Sequence, residues 1–158
     1  MIFTTKAEYG VRLLVELGRQ DVDGAGAVVS LKAIAEAEQL PLGYLEHVVA
    51  LLRKAELVES TRGARGGYRL SRPAETITMD EVVLALEGAI APMDCFVPDC
   101  ESRVSCSHRD DQGSACATRM LWARVQDAVV EALRTTTLAE LVQFGETGTT
   151  HPLFSLSN

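Results

Sequence analysis

Two apolar stripes with helical spacing lie close together in the first third of the chain, and they restrict its fold more than any other feature. One stripe runs through residues 31–39 after Ser30, which can cap a helix, and the next runs through residues 42–57 after Pro41. About three residues separate the two predicted helices. A connection that short favours a helix-turn-helix, in which the two helices cross at a steep angle.

The segments on either side of this unit extend the pattern. Thr5 and Glu8 form a capping-box pattern that predicts a helix at about residues 5–20. After the second stripe the apolar period changes, and three glycines within residues 63–67 indicate the turn of a β-hairpin that Pro73 closes. Three helices followed by a tight hairpin are typical of a winged helix-turn-helix, whose third helix enters the major groove of DNA.

A second capping-box pattern follows the hairpin, where Thr78 and Glu81 predict a helix that ends at Gly88. Residues 89–116 show no apolar period and contain all four cysteines of the chain. A loop of this length is uncommon in a compact domain unless it serves a function.

Helical spacing resumes at Ala117 and predicts a long helix. Its apolar face consists of Leu121, Val125, Ala128, Val129 and Leu133. Thr137 and Glu140 then predict a short helix that ends at Gly145, and we expect residues 146–158 to form a flexible tail.

Together these patterns predict a mainly α-helical fold with a small β wing. Its parts are a winged helix-turn-helix domain at 1–88, a cysteine-rich loop at 89–116, a long and a short helix at 117–145, and the tail. A chain of 158 residues, with 47% hydrophobic and 23% charged residues, can build one core of this kind.

The sequence gives no support to a membrane protein or an enzyme. No apolar run reaches the roughly eighteen residues of a membrane span, and the N-terminus does not resemble a secretory signal. We therefore expect a cytoplasmic protein. No phosphate-binding glycine loop or Ser-His-Asp context occurs, and the three histidines form no cluster.

Charge is distributed unevenly along the chain. The formal net charge of −7 argues by itself against a nucleic acid partner. Residues 51–72, however, contain six basic and two acidic side chains. Local charge decides phosphate contacts, because exposed charges more than about 10 Å apart are screened by cellular salt.

These observations indicate which residues contact DNA. Tyr44, Glu46 and His47 lie off the apolar stripe of the third helix and are predicted to face the DNA. The residues predicted to attract phosphates are Arg53, Lys54, Arg62, Arg65, Arg69 and Arg72. The alternative is that residues 51–72 form a solvated hairpin in a protein-interaction domain.

The four cysteines follow the pattern C-x4-C-x5-C-x9-C at Cys95, Cys100, Cys106 and Cys116. In a cytoplasmic chain this favours a metal or redox site over a disulfide framework. Thiolates suit iron-sulfur clusters, zinc or copper(I), and a loop can bend to bring them together. Judged by spacing alone, a zinc site is favoured over an iron-sulfur cluster, although structural zinc sites usually have more closely paired ligands.

The chain also resembles a known family, the winged-helix transcription regulators typified by the iron-sulfur cluster regulator IscR and the nitric oxide sensor NsrR. The resemblance runs from residue 1 to about residue 143 and rests on short motifs. They are Ala7-Glu8-Tyr9-Gly10-Val11-Arg12, Tyr44-Leu45-Glu46, Leu52-Arg53-Lys54-Ala55, Leu57-Val58-Glu59-Ser60, Arg62-Gly63, Gly66-Gly67-Tyr68-Arg69-Leu70, Leu86-Glu87-Gly88 and Leu121-Trp122. His47 stands where a glutamine is frequent, and Pro41 and Gly43 replace frequent hydroxyl residues, so the operator sequence is not carried over.

The resemblance implies a homodimer in which helix 117–134 pairs with its copy and two recognition helices read a pseudo-palindromic operator in double-stranded DNA. It also implies an iron-sulfur cluster, either 2Fe-2S or 4Fe-4S, held by three cysteines between the Leu-Glu-Gly and Leu-Trp motifs. The cysteines expected in this role are Cys116, Cys95 and Cys106. Cys100 is either a ligand or a spare.

Two other residues are candidates for the non-cysteine ligand. His108 could bind a metal, although a lone histidine in a loop is more often solvated. Some relatives recruit an acidic residue at the position of Glu8 from the opposite subunit, but the capping-box pattern explains Glu8 equally well.

The implied function is a transcription regulator, most often a repressor in such families, that senses redox state, nitric oxide or iron-sulfur supply through its cluster. Loss of the cluster ligands should alter the angle between the recognition helices and hence the half-site spacing. The alternative is a cluster-free regulator in which the cysteines act as a thiol/disulfide or zinc switch.

Overall fold

A computed structural model describes residues 3–21, 26–63, 65–91 and 117–148 of the chain. In chain order, the elements in these ranges are α1 (Thr5–Gln20), α2 (Leu31–Glu38), α3 (Leu42–Lys54), β1 (Val58–Thr61), β2 (Gly67–Leu70), a 3-10 turn (Ala74–Thr76), α4 (Met79–Glu87), α5 (Ala117–Arg134) and α6 (Leu138–Thr147). The predicted fold class, mainly helical with a small antiparallel sheet, is confirmed. Within the described ranges, no helix is long and apolar enough to cross a membrane.

Helix α1 has the predicted bounds, Thr5–Gln20, but its N-terminal cap differs from the prediction. Its N-cap is Thr4, whose side-chain oxygen accepts a hydrogen bond from the Lys6 amide at 3.1 Å. The carboxylate that reaches the first turn comes from Glu87 at the end of α4, and it accepts hydrogen bonds from the amides of Thr4 and Ala7, both at 3.2 Å. The predicted capping box with Glu8 is therefore wrong, because a residue distant in sequence takes that position.

Helices α2 and α3 form the predicted helix-turn-helix. The Ser30 hydroxyl oxygen caps α2 by accepting a hydrogen bond from the Ala33 amide at 3.1 Å. Gln39 adopts a left-handed backbone conformation with a φ of 53°, which ends α2 and turns the chain toward α3. The buried side of α3 consists of Leu45, Val48, Val49 and Leu52, each at most 2% exposed.

The wing is the antiparallel pair β1 and β2, with Glu59 opposite Arg69. The outer edge of β2 pairs with the chain before α2. The N–H and C=O of Val29 each form a 2.8 Å hydrogen bond with the backbone of Tyr68. A Cβ atom at Gly67 would lie 2.3 Å from the Val29 oxygen, so a glycine is needed there. The hairpin was predicted, but its attachment to Val29 was not.

The remaining capping boxes are confirmed. The Glu81 carboxylate accepts a hydrogen bond from the Thr78 amide at 3.2 Å, and the Glu140 carboxylate accepts one from the Thr137 amide at 2.8 Å. Gly88 ends α4, as expected.

Helix α6 returns to the core of the winged-helix unit. Leu138 is fully buried, and its amide donates a 2.8 Å hydrogen bond to the Ile77 carbonyl. The helix ends at Gly148, which has a left-handed φ of 59°, so the predicted end at Gly145 is wrong. Gly145 makes room for Arg19 of α1, since a Cβ atom there would lie 2.5 Å from a guanidinium nitrogen.

Two glycines let other helices approach α1 closely. A Cβ atom at Gly10 would lie 2.2 Å from Leu86 in α4, and one at Gly18 would lie 2.7 Å from Val142 in α6. Helix α1 therefore holds the helix-turn-helix, α4 and α6 around one core.

Candidate nucleic-acid interface

Helix α3 presents polar side chains opposite its buried stripe. Tyr44, Glu46 and His47 are exposed there, where side chains can reach a bound duplex. The Tyr44 ring packs edge-on against Tyr9 of α1, with ring centroids 5.4 Å apart and an interplanar angle of 82°. Sequence reasoning did not assign Tyr9 to this surface. Because of that contact, Tyr44 is a fixed aromatic side chain beside two solvated polar ones.

The N-terminus of α3 is open. Pro41 at the N-cap makes no side-chain hydrogen bond to the helix, and a Cβ atom at Gly43 would meet no described residue. The amides of Leu42 and Gly43 have no hydrogen-bond partner among the described residues. Amides at helix N-termini commonly contact DNA phosphates. This end of α3 therefore offers donors without a side chain in front of them.

Four basic residues extend this surface. Arg53 and Lys54 end α3, while Arg62 and Arg65 lie in the turn of the wing, and all four are exposed. None of the four forms an ion pair with another residue in the described part of the chain. Their charges are available to phosphates at two places, the end of α3 and the tip of the wing.

The two other cations of this stretch are already paired. A guanidinium nitrogen of Arg69 lies 2.8 Å from the Glu59 carboxylate across the wing, and one of Arg72 lies 2.6 Å from that of Glu81 in α4. Burial alone would raise the pKa of Glu81, but hydrogen bonds from Thr78 and Arg72 outweigh burial and hold that pKa below its ordinary value. Arg69 and Arg72 therefore stabilise the wing in the free protein, and their charges are largely compensated.

Arg12 belongs to a motif of the first helix but does not extend the basic surface. Its Nε donates to the Glu38 carboxylate at 2.8 Å, and a terminal nitrogen donates to the Glu38 carbonyl at 2.5 Å. This double contact fastens the end of α2 to α1. The sequence shows no spacing between these residues that would have predicted the pair.

The predicted cysteine site falls between α4 and α5. Cys95, Cys100, Cys106, Cys116 and the alternative His108 all lie outside the described residues. Among the described residues, no group of three or more histidine, cysteine, aspartate or glutamate side chains could hold a metal ion.

Glu8 is the one candidate ligand that the structure describes. Its side chain is exposed and has no hydrogen-bond or ion-pair partner among the described residues. With its capping role removed, the Glu8 carboxylate is available for another interaction.

Helix α5 has an incompletely covered apolar face. Met120 is 62% exposed and Leu121 is 54% exposed, and no residue of α5 from 118 to 134 is buried. The Gln126 amide nitrogen donates to the Ile90 carbonyl at 2.9 Å, which ties the helix to the end of the α4 segment. A helix of this length with its leucine and methionine in solvent is typical of a subunit interface.

An outward polar face on the second helix of a helix-turn-helix, next to a basic two-stranded wing, defines a winged-helix DNA-binding protein. Residues 3–143 match the model of the Rrf2 family, described as iron-dependent transcriptional regulators. The chain belongs to the Rrf2 family.

Similar proteins include regulators with different names. The chain is 37% identical to the HTH-type transcriptional regulator CymR of Bacillus subtilis, over 91% of each chain. It is 36% identical to protein rrf2 of Nitratidesulfovibrio vulgaris, over 90% of this chain and 88% of the relative. Among solved structures, IscR of T. potens superposes with a TM-score of 0.71 at 31% identity, covering 96% of this chain and 94% of that one.

A solved structure of the B. subtilis CymR, described as the global cysteine regulator, also superposes with a TM-score of 0.71, at 36% identity and covering 90% of this chain and 96% of that one. The similar proteins are transcriptional regulators and not enzymes. Regulators of this family bind DNA and form dimers. The chain is therefore a helix-turn-helix transcriptional regulator.

Proposed function

We propose that the protein is a homodimeric repressor that holds an iron-sulfur cluster on the cysteines between α4 and α5 and responds to redox state, nitric oxide or cluster supply. The observation that supports this most is the group of four thiols at Cys95, Cys100, Cys106 and Cys116, in one segment between two helices. Soft thiolates in this number suit an iron-sulfur cluster.

The dimer reads DNA through α3. In this proposal Glu46 and His47 contact base edges in the major groove, and Tyr44 contacts the backbone beside them. Arg53, Lys54 and the two wing arginines bind phosphates, with the wing reaching the adjacent minor groove. Two copies related by a two-fold axis then require a pseudo-palindromic operator.

The apolar face of α5 provides the two-fold contact. Leucine and methionine side chains on this helix gain most when a copy of the same face covers them, because burial of apolar area is the dominant favourable term in association. The segment with the cysteines connects directly to this helix, so a change at the thiols reaches the dimer contact first.

The ligands proposed for the cluster are Cys95, Cys106 and Cys116, with Glu8 of the opposite subunit as the non-cysteine ligand and Cys100 as a spare. The Glu8 carboxylate is exposed and has no partner in the part of the chain that the structure describes, which fits this role. When bound, the cluster supplies iron that reacts with oxidants or nitric oxide. The protein holds that group between α4 and α5, so that its loss changes how far apart the two α3 helices lie.

Single substitutions test the ligand assignment. Cys116→Ala should abolish the visible chromophore of anaerobically purified protein, Cys95→Ala and Cys106→Ala should remove nearly all of it, and Cys100→Ala should leave most of it. A colourless Cys100→Ala variant with a brown Cys106→Ala variant would show that the assignment is wrong. If all four cysteines are required, the site has only thiolate ligands and Glu8 is not one of them.

Selection of DNA tests the regulatory half of the proposal. The dimer is mixed with a pool of random duplexes, and bound sequences are recovered at moderate salt. We expect two inverted half-sites about one helical turn apart, or a multiple of it. Recovery of unrelated sequences with the same affinity as the selected ones would contradict sequence-specific regulation.

A second candidate is a cluster-free switch that works through disulfide formation or zinc. The 37% identity to CymR supports it, since the solved B. subtilis CymR is described as a global cysteine regulator. This candidate predicts a colourless protein whose DNA affinity changes on mild oxidation and recovers with a thiol reductant. Iron, sulfide and zinc analysis of one anaerobic preparation separates the two candidates.

A further inference from the structure

The turn between α5 and α6 is bonded to the segment that begins α4. The Leu138 amide donates a hydrogen bond to the Ile77 carbonyl at 2.8 Å, and the Met79 amide donates one to the Thr136 carbonyl at 3.0 Å. These two bonds form a short antiparallel bridge, which we call the α4–α6 bridge. The end of α5 therefore moves together with the start of α4.

The first turn of α4 carries two acidic residues that bond in opposite directions. Asp80 accepts a hydrogen bond from the Thr78 hydroxyl, and its carboxylate lies 3.8 Å from the guanidinium of Arg134, the last residue of α5. Glu81 accepts hydrogen bonds from the Thr78 amide at 3.2 Å and from the Arg72 guanidinium at 2.6 Å. One oxygen of Glu81 receives both of these bonds. This single atom therefore joins the α4–α6 bridge to the base of the wing.

Arg72 lies two residues after the end of β2 and depends on Glu81 for its position. Between them, the Ser71 amide donates to the Leu57 carbonyl at 3.2 Å, which closes the base of the wing. Among the described residues, Glu81 is the one hydrogen-bond acceptor of the Arg72 guanidinium, whose Nε is buried and has no partner there. Short hydrogen bonds between ionised groups are stronger than neutral ones. The end of β2 is therefore positioned from α4 through one side chain.

We propose that Glu81 is a positioning residue that connects the end of α5 to the wing, so that the contacts of the wing with DNA phosphates depend on the position of α5. This inference rests on the proposed function in one respect, the phosphate contacts of the wing arginines. It does not involve the cysteines, because the connection consists of the base of the wing, the start of α4 and the α5–α6 turn. Coupling of this kind is reciprocal, so DNA bound at the wing should also stabilise the α4–α6 bridge.

Glu81→Gln breaks the connection and keeps the start of the helix intact. A glutamine there can still accept the bond from the Thr78 amide, since capping boxes use Glu or Gln, but it loses the charge that holds Arg72. Glu140→Gln is the matched control. Glu140 forms the same capping box in α6, with the Thr137 amide at 2.8 Å, and has no cation bonded to it in the part of the chain that the structure describes.

The first measurement is the affinity of the full-length, cluster-free protein for a short duplex of random sequence over a salt series, which reports phosphate contacts. We expect Glu81→Gln to weaken binding about threefold to tenfold at low salt and to lower the slope of log affinity against log salt by about 1. Glu140→Gln should bind as wild type does. In an Arg62→Ala background, Glu81→Gln should have a smaller effect, because a contact that it positions is already lost.

The second measurement is amide hydrogen exchange by NMR at Met79 and Leu138, the two amide donors of the α4–α6 bridge, with and without a saturating amount of the same duplex. Both residues are buried, so the duplex does not cover them directly. We expect the duplex to slow their exchange about threefold or more in wild type and Glu140→Gln, and to have no effect in Glu81→Gln. A residue with only a structural role would change exchange equally with and without DNA.

The outcomes separate this inference from the proposed function. If Arg62→Ala leaves affinity and slope unchanged, the proposed wing contact fails and the inference fails with it. If Arg62→Ala weakens binding but Glu81→Gln binds as Glu140→Gln does, only the inference is overturned. Tighter binding of Glu81→Gln with a steeper slope would show that the released Arg72 binds phosphate directly, which also overturns it.

A second variant keeps the test decisive should Glu81→Gln fold poorly. Arg72→Gln breaks the same bond from the side of the wing and leaves both capping boxes in place. We expect the exchange of the two bridge amides in this variant to be unaffected by the duplex. Slower exchange on DNA binding, as in wild type, would overturn the connection through Glu81.

Discussion

Single residues of the basic stretch differ in what they offer to DNA. Arg62 and Arg65 are exposed in the turn of the wing and have no partner among the described residues, whereas Arg69 is paired with Glu59 at 2.8 Å. An arginine that must leave an existing ion pair gains less from a phosphate than one that exchanges only water. Six cations that look equivalent in sequence therefore fall into two groups.

We expect Arg62→Ala to weaken DNA binding without lowering protein stability. The side chain is exposed, and its loss removes one phosphate contact, so the slope of log affinity against log salt should fall by about 1. Arg69→Ala is the matched control and should cause a smaller loss of affinity. Fluorescence anisotropy over a salt series measures both. Equal operator affinity in wild type and Arg62→Ala would show that the tip of the wing does not contact DNA.

His47→Ala should relax sequence preference more than it lowers nonspecific affinity. His47 is exposed on α3 and has no partner among the described residues, so its ring can contact a base edge. Loss of one such contact costs about 1–3 kcal/mol of discrimination. Competition between the selected operator and a random duplex measures the ratio. An equal loss of affinity for both duplexes would show that His47 contacts the DNA backbone and not a base edge.

At the scale of elements, the helices and the hairpin could be predicted, but most contacts between them could not. Apolar spacing locates α3, because Leu45 and Leu52 must face the core wherever the rest of the chain lies. The carboxylate that accepts hydrogen bonds from the first turn of α1 belongs to Glu87, eighty or more residues away, and local sequence cannot show this contact. The bridge from Val29 to the wing was missed for the same reason.

The end of α6 was predicted wrongly for a different reason. A glycine near the end of a helix usually marks its last turn, so the sequence predicts that α6 ends at Gly145. In the structure Gly145 lies inside α6, against Arg19, and Gly148 ends the helix. Two glycines three residues apart have the same local pattern, and only the packing of α6 on α1 distinguishes them.

Gly10→Ala should destabilise the protein by about 1–3 kcal/mol, because the new methyl group meets Leu86 and forces α1 away from α4. Gly43→Ala is a control at a helical glycine in open space, and it should leave stability unchanged or raise it by up to about 1 kcal/mol. Chemical denaturation gives both values. A Gly10→Ala variant as stable as wild type would mean that the α1–α4 contact is looser than described.

For the whole molecule, two acidic residues hold separate parts of the fold together. Glu87 joins α4 to α1, and Glu81 receives a hydrogen bond from Arg72 at the base of the wing. Each has a folded-state pKa below the ordinary value of 4.5. Such a group stabilises the folded state above its unfolded pKa, and that contribution is lost as the pH falls through the lower folded pKa.

The difference in unfolding free energy between wild type and Glu87→Gln should therefore be largest near neutral pH and shrink between about pH 5 and pH 3. Glu75→Gln serves as a control for the lost charge, because Glu75 is exposed and lies in the 3-10 turn. Urea unfolding of the cluster-free protein at several pH values measures the difference. A difference that stays constant across this range would show that the Glu87 hydrogen bonds do not depend on its charge.

The proposed function depends on the cysteine-containing segment between α4 and α5, which only the sequence locates. The position of the cysteines between α4 and α5, together with the exposed Glu8, supports a cluster, whereas the similarity to CymR supports a thiol switch. The fold and the DNA-binding surface are the same for the cluster regulator and for the thiol switch, because both features are formed by α1 to α4 and the wing. Only the chemistry at the thiols separates them.

The most direct test is the visible absorption of the protein purified without oxygen, followed by DNA binding of the same sample before and after the chromophore is removed. We expect a brown protein that absorbs at about 400 nm, contains iron and sulfide, and changes its operator affinity when the cluster is lost. A colourless protein that contains zinc or free thiols and already binds the operator with full affinity would contradict the proposed function.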